Sequence, residues 1–248
     1  MNRSVNAWTV VALYLEAIFQ GTIIGRGTGF VVETAAGPHL VTNWHVITGR
    51  HPDTGDPLDS KTGACDPDAL RVWHHVSEKL GTWTAWDEPL RHPQTGDPLW
   101  REHPLGRDVD VVALPLTHVV PPVHFYPLDL TLANADIVIA PAATVSIIGF
   151  PLGLSAAGRF AIWKTGHVAS DLDIDFEGRP VFLVDATTKA GMSGSPVVAL
   201  RDGSVQRSTG WQLGVTASRF LGIYAGRVRA DMDIGRVWKA TAILEVLR

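Results

Sequence analysis

Most apolar runs in this sequence are short, rich in Val, Ile, Leu, Phe and Thr, and closed by Gly, Pro, Asp or Asn. That is the signature of β-strands rather than of helices. Strands are expected over 27–33, 39–42, 70–75, 110–114, 143–149, 160–170, 181–185, 195–200, 212–217 and 222–228. So many short strands at regular spacing predict an all-β sandwich or barrel. The 24 glycines and 16 prolines agree with a turn-rich body. One helix is expected at the carboxyl end, over 235–248, where Val237, Ala240, Leu244 and Leu247 recur at helical steps. A length of 248 residues with 46% hydrophobic side chains suffices for one large domain or two small ones.

Charge narrows the partners. With 21 basic against 25 acidic residues the net charge is −4, and no basic tract is available to neutralise a nucleic-acid backbone. Cys65 is the single cysteine, so neither an intramolecular disulfide nor a four-cysteine zinc site can form. The histidines show no metal-ligand spacing, and no metal or other cofactor is expected. The apolar run 7–19 is interrupted by Glu16 and is shorter than the roughly 20 residues a bilayer needs. It also lacks a small-residue cleavage site, so a core segment and a soluble, cytoplasmic, membrane-free protein are expected.

Two nine-residue stretches, Arg50 to Leu58 and Arg91 to Leu99, differ at one position. Pro and Gly in both point to a pair of similar turns rather than a ligand site, at the ends of a hairpin excursion over 50–107. A Pro-rich break over 115–127, with Pro121-Pro122, reads as a linker between two lobes. The expected division is a lobe over 1–120, a second over 121–234, and the helix.

Three stretches supply parts of an acyl-transfer site. One strand-like run ends at His45, Asp110 leads the run Val111-Val112-Ala113-Leu114, and Ser193 lies in the tight turn Gly191-Met192-Ser193-Gly194 ahead of another strand. A serine hydroxyl is a weak nucleophile until a neutral imidazole takes its proton, and a carboxylate fixes the imidazole's tautomer. Gly191 lets the turn bend so that its own N–H and that of Ser193 converge on one point, where an oxyanion can sit. Asp110 suits the carboxylate role better than Asp108, because an unpaired Asp110 would otherwise be a buried mid-strand charge. Hydrolysis is then expected to rise with pH through the ordinary imidazole range, around 6.5 to 7.5.

With Gly27-Thr28-Gly29-Phe30, Thr42-Asn43-Trp44-His45, Asp110-Val111-Val112-Ala113-Leu114, Ile148-Gly149-Phe150-Pro151, Thr165-Gly166-His167-Val168 and Gly191-Met192-Ser193-Gly194-Ser195-Pro196, residues 20–230 resemble the trypsin-like, chymotrypsin-fold serine peptidases. The bacterial HtrA-like and glutamyl-endopeptidase-like branches are the most similar, here without a PDZ domain. The resemblance implies two six-stranded antiparallel Greek-key β-barrels with the active site between them. It implies a serine endopeptidase acting on peptides or proteins through His45, Asp110 and Ser193, with an oxyanion hole at Gly191 and Ser193. A dedicated intracellular protein partner would fit a compact member, and a catalytically idle peptide-binding barrel is the alternative. Met192 stands where digestive members carry an aspartate that pairs with a newly cut amino terminus, so that switch is absent. The resemblance also implies that substrate adds as a strand along Val215, Thr216 and Ala217. Thr187 then stands where trypsins carry the aspartate that selects basic residues, so basic specificity is not expected. Arg219 or Arg227 could favour an acidic side chain, although a solvated arginine is the plainer reading of each.

Overall fold

The computed structural model describes residues 5–58 and 66–248, and Cys65 lies outside them. Strands β1 (Ala12–Phe19), β2 (Thr22–Thr34), β3 (Gly37–Thr42), β4 (Ala69–Val76), β5 (Trp83–Pro89), β6 (Arg101–Glu102), β7 (Val112–Pro115) and β8 (Val123–His124) form one antiparallel sheet. Its order is β5-β4-β1-β2-β3-β7-β6, with β8 added on β4. Strands β9 (Thr144–Gly149), β10 (Ile162–Val168), β11 (Val181–Asp185), β12 (Pro196–Arg207), β13 (Gly210–Arg227) and β14 (Ile234–Lys239) close into a barrel in the order β10-β11-β14-β13-β12-β9. Helices are few: α1 (Ala7–Val11) and α2 (Trp44–Thr48) are single turns, and α3 (Ala240–Leu247) ends the chain. This is the expected all-β, chymotrypsin-like two-barrel architecture, with eight rather than six strands in the first sheet. Among the described residues no helix is long and apolar enough to cross a membrane.

Several expectations are corrected in detail. The segment 50–107 is no excursion, because β4 lies inside the sheet between β1 and β5. Strand β1 buries seven consecutive residues, since its neighbours β2 and β4 flank it and both its faces are covered. Val237 belongs to β14, not to the helix, which starts at Ala240 and buries Ala240, Ala242, Ile243 and Val246. The two strands expected over 212–217 and 222–228 are one strand, β13, held along its length by β12 with two register shifts. Strand β7 begins at Val112, so Asp110 precedes it. The repeated stretches are indeed twin turns: Arg50 bridges Pro57 and Arg91 bridges Pro98, and in each the arginine donates to a glycine carbonyl, Gly55 at 3.1 Å and Gly96 at 3.2 Å.

One apolar cluster joins the two sheets and α3. Phe30 and Val41 from the first sheet meet Phe150, Phe220 and Trp238 from the barrel, with Ile243 and Val246 of α3 packed against them. Each of the two α3 side chains contributes about 1.5–3 kcal/mol on burial.

Strand β4 also buries adjacent histidines on its two faces. His74 packs edge-on to Phe125, and His75 lies against Trp83 and Tyr126. Burial holds both at about 4, against a nearby Glu88 charge for His74 and a bond to the Val10 carbonyl for His75. Both are therefore neutral in the folded protein and take up protons more readily when unfolded. Their contribution to stability is full above about pH 6.5 and is lost as pH falls toward 4, up to about 3 kcal/mol for each. Denaturant midpoints measured from pH 7 to 4.5 should fall, and His74→Phe should flatten the fall. An unchanged slope in that variant would contradict the assignment.

Candidate active site

The ladder between β3 and β7 sets the first half of the site. Thr42 pairs with Val112, so the residues just beyond each partner, Asn43 to His45 and Asp110, leave the sheet side by side. The single turn α2 follows Asn43 and presents His45 at its start. Asp110 is almost fully buried and grips His45 twice: Oδ2 meets the imidazole Nδ1 at 2.7 Å, and Oδ1 accepts the His45 backbone N–H at 2.9 Å. Asn43 Nδ2 in turn donates to the Asp110 carbonyl at 2.7 Å.

Ser193 comes from the turn entering β12. Its carbonyl accepts the Thr28 N–H at 2.8 Å, while Gly194 donates to the Tyr224 carbonyl at 2.8 Å. The turn is thus tied to β2 of one lobe and β13 of the other. Gly191 and Gly194 both have φ of +89°, and a Cβ on either would stand 2.4 Å from the Phe150 oxygen or 1.7 Å from the Thr28 oxygen. No L side chain fits there. Among the described residues neither the Gly191 nor the Ser193 N–H has a protein acceptor, so both donors remain available. Met192, fully buried, packs into the barrel core with Val145, Phe182, Val197 and Tyr224. An apolar plug thereby anchors the turn.

The structure brings His45 and Ser193 to the same two hollows. One is walled by Ile24, Arg26, Val46, Pro57, Leu58, Ala190 and Gly191. The other, which also reaches Asp110, is walled by His51, Pro52, Asp53, Arg179, Ala225, Gly226, Arg227, Arg236 and Trp238. Val215, Thr216 and Ala217 line neither hollow. Thr216 and Ala217 pair with β12 and Val215 falls in a register shift beside them, where Thr216 bonds Asp202, and the strand edge beside Ser193 is Ala225 to Arg227 instead. A Cβ on Gly226 would be 3.9 Å from the Ser193 hydroxyl oxygen. Thr187 is exposed, outside both hollows, with its hydroxyl 3.4 Å from Asp233. Of the two arginines in question, Arg219 is bound to the Ala133 and Ile137 carbonyls, and Arg227 reaches the cleft. The first of the twin turns walls the cleft as well.

Two residues without a role in the sequence reading matter here. Thr28, fully buried, donates its hydroxyl to the Gly191 carbonyl at 2.8 Å and accepts the Phe150 N–H at 3.3 Å. Its place between Gly27 and Gly29 was the available signal. Asp53, the position at which the twin turns differ, binds Arg179 at 2.8 Å and Arg236 at 3.4 Å. Burial alone would raise the Asp53 carboxyl, but the Arg179 hydrogen bond and the charges of Arg236, Arg179 and His51 outweigh it and hold it below the ordinary carboxylate value. Among the described residues no cluster of His, Cys, Asp and Glu comes together as a metal site.

The candidate site thus holds a buried carboxylate bonded to an imidazole, with Ser193 lining the same hollows. The family model for the trypsin-like peptidase domain matches residues 27–206. The chain belongs to that family and is a serine endopeptidase by class. No curated protein sequence matches it. Among solved structures, the serine endoprotease from Yersinia pestis is 17% identical with a TM-score of 0.55, over 100% of this chain and 67% of that one. The active form of the Rv3671c protease from M. tuberculosis is 19% identical, TM-score 0.53, over 97% and 81%. The MamO protease domain from Magnetospirillum magneticum is 14% identical, TM-score 0.54, over 98% of each chain. At such identities these structures establish the fold.

Proposed function

We propose that this chain hydrolyses peptide bonds through Ser193, His45 and Asp110, and the doubly bonded His45–Asp110 pair beside Ser193 is the observation that carries the reading. His45 Nε2 takes the Ser193 proton as the hydroxyl oxygen attacks the carbonyl carbon, then returns it to the leaving amine. The Gly191 and Ser193 N–H groups receive the oxyanion. Asp110 holds the proton on Nδ1, leaving Nε2 as the base. The acyl half of the substrate adds as a strand beside Ala225 and Gly226, which fall in the register break between Tyr224 and Arg227 on the β14 side.

A fluorophosphonate probe tests the reading directly. Covalent attachment to the folded protein should map to the peptide containing Ser193, at a rate that rises with pH through the imidazole range. Folded protein that stays unlabelled would remove the proposal.

Thr28 positions the oxyanion loop in this scheme. Thr28→Val keeps the volume but leaves the Gly191 carbonyl and Phe150 N–H without their partner. The expected cost is on the order of tenfold to a hundredfold in kcat with little change in KM. Thr28→Ser should recover most of it, whereas equal losses in both variants would make Thr28 a packing residue only.

A further inference from the structure

The hollow beside Ala225 and Gly226 carries more positive charge than the chain as a whole. Three guanidiniums, of Arg179, Arg227 and Arg236, wall it, on a protein whose net charge is −4. Arg179 and Arg236 share the single carboxylate of Asp53, and among the described residues no carboxylate meets exposed Arg227. Asp110, the other acid there, is buried against His45. With Asp110 counted, the walls keep one net positive charge, and among the described residues Arg227 is the guanidinium there that no carboxylate pairs.

The hollow already holds one carboxylate of the chain itself. Asp53 comes from the tip of a turn, and its carboxylate is held by two arginines from the opposite lobe. In the twin turn the same position is Gln94, which lines neither hollow beside Ser193. Of the two turns, the one that walls the cleft is thus the one that carries the carboxylate.

We propose that the cleft selects substrates with acidic side chains among the two to four residues before the scissile bond, recognised by Arg227 and by the Arg179–Arg236 pair. The inference rests on the peptidase reading above. A substrate strand beside Ala225 and Gly226 advances about 3.3 Å per residue, which carries its next side chains past Arg227 and toward the Asp53 turn. Planar guanidiniums suit carboxylates through paired N–H donors. The contacts are half-exposed, so the preference is sensitive to salt.

The test uses quenched-fluorescent peptides alike except for Glu, Gln or Lys at those positions, with fluorophosphonate labelling run in parallel. Glutamate peptides should exceed glutamine peptides at least tenfold in kcat/KM at low salt, and the ratio should shrink at high salt. Arg227→Ala should lower the ratio severalfold, and Arg227→Glu should shift the preference toward lysine. Asp53→Asn, which frees Arg179 and Arg236, should raise it. A labelled enzyme that shows no charge preference, keeps its ratio in both Arg227 variants, or reads charge only beyond the scissile bond would overturn the acidic subsite alone. Loss of labelling itself would overturn the peptidase reading, and this inference with it.

Discussion

Ser193→Ala is expected to lower kcat/KM toward peptides by about a millionfold, the scale seen when the nucleophile of a serine peptidase is removed. The structure makes the loss interpretable. The Ser193 hydroxyl has no hydrogen bond among the described residues, whereas the turn is held by main-chain atoms, through the Thr28 N–H on the Ser193 carbonyl and the Gly194 N–H on Tyr224. Alanine removes the reacting oxygen and nothing that supports the loop. The melting temperature should hardly change. Both amide donors also survive, so a residual acceleration on the order of a thousandfold over water is expected from them and from binding. His45→Ala should cost a similar amount, and the double variant little more, because the two act as one device. A Ser193→Ala enzyme that kept more than a hundredth of its activity would place the nucleophile elsewhere.

The residues of that device were readable because each sits in a short stretch whose local chemistry is its own: a strand run into His45, an acid ahead of an apolar strand, a glycine turn around Ser193. The substrate edge was not readable in the same way. The expected strands stop at Ala217 and resume at Gly222, yet β13 runs through the gap because β12 accompanies it with bulges. The edge that the resemblance implied, 215–217, lies earlier along the same strand than Ala225 to Arg227, which line the hollow beside Ser193. At the carboxyl end, Val237 and Ala240 are three residues apart, a helical step that is equally satisfied by the last turn of a strand and the first residue of a helix. Strand β1 escaped because a run buried on both faces has no alternation to reveal its period. The cationic hollow needed the fold itself, since Asp53 and Arg179 are 126 residues apart in sequence and meet only across the cleft.

Asp110→Asn is expected to cost on the order of ten-thousandfold in kcat at neutral pH, by a route that the two hydrogen bonds specify. The His45 backbone N–H can only donate, so one side-chain atom at position 110 must remain an acceptor facing it. An asparagine meets that demand with its carbonyl oxygen, which turns the amide NH2 toward His45 Nδ1. Two donors cannot face each other. Nδ1 must then give up its proton and accept from the amide, and the neutral ring carries its hydrogen on Nε2. An Nε2–H cannot receive the Ser193 proton, so the base is lost although every heavy atom stays in place. The Asn43 bond to the residue-110 carbonyl is unaffected, which keeps the backbone and the fold intact. Two-dimensional 15N spectra of the imidazole should show the tautomer change directly, with Nδ1 unprotonated in the variant and protonated in the wild type. Asp110→Asn protein with the wild-type tautomer and wild-type rate would mean that another carboxylate orients His45, and Asp108 would be the next to replace.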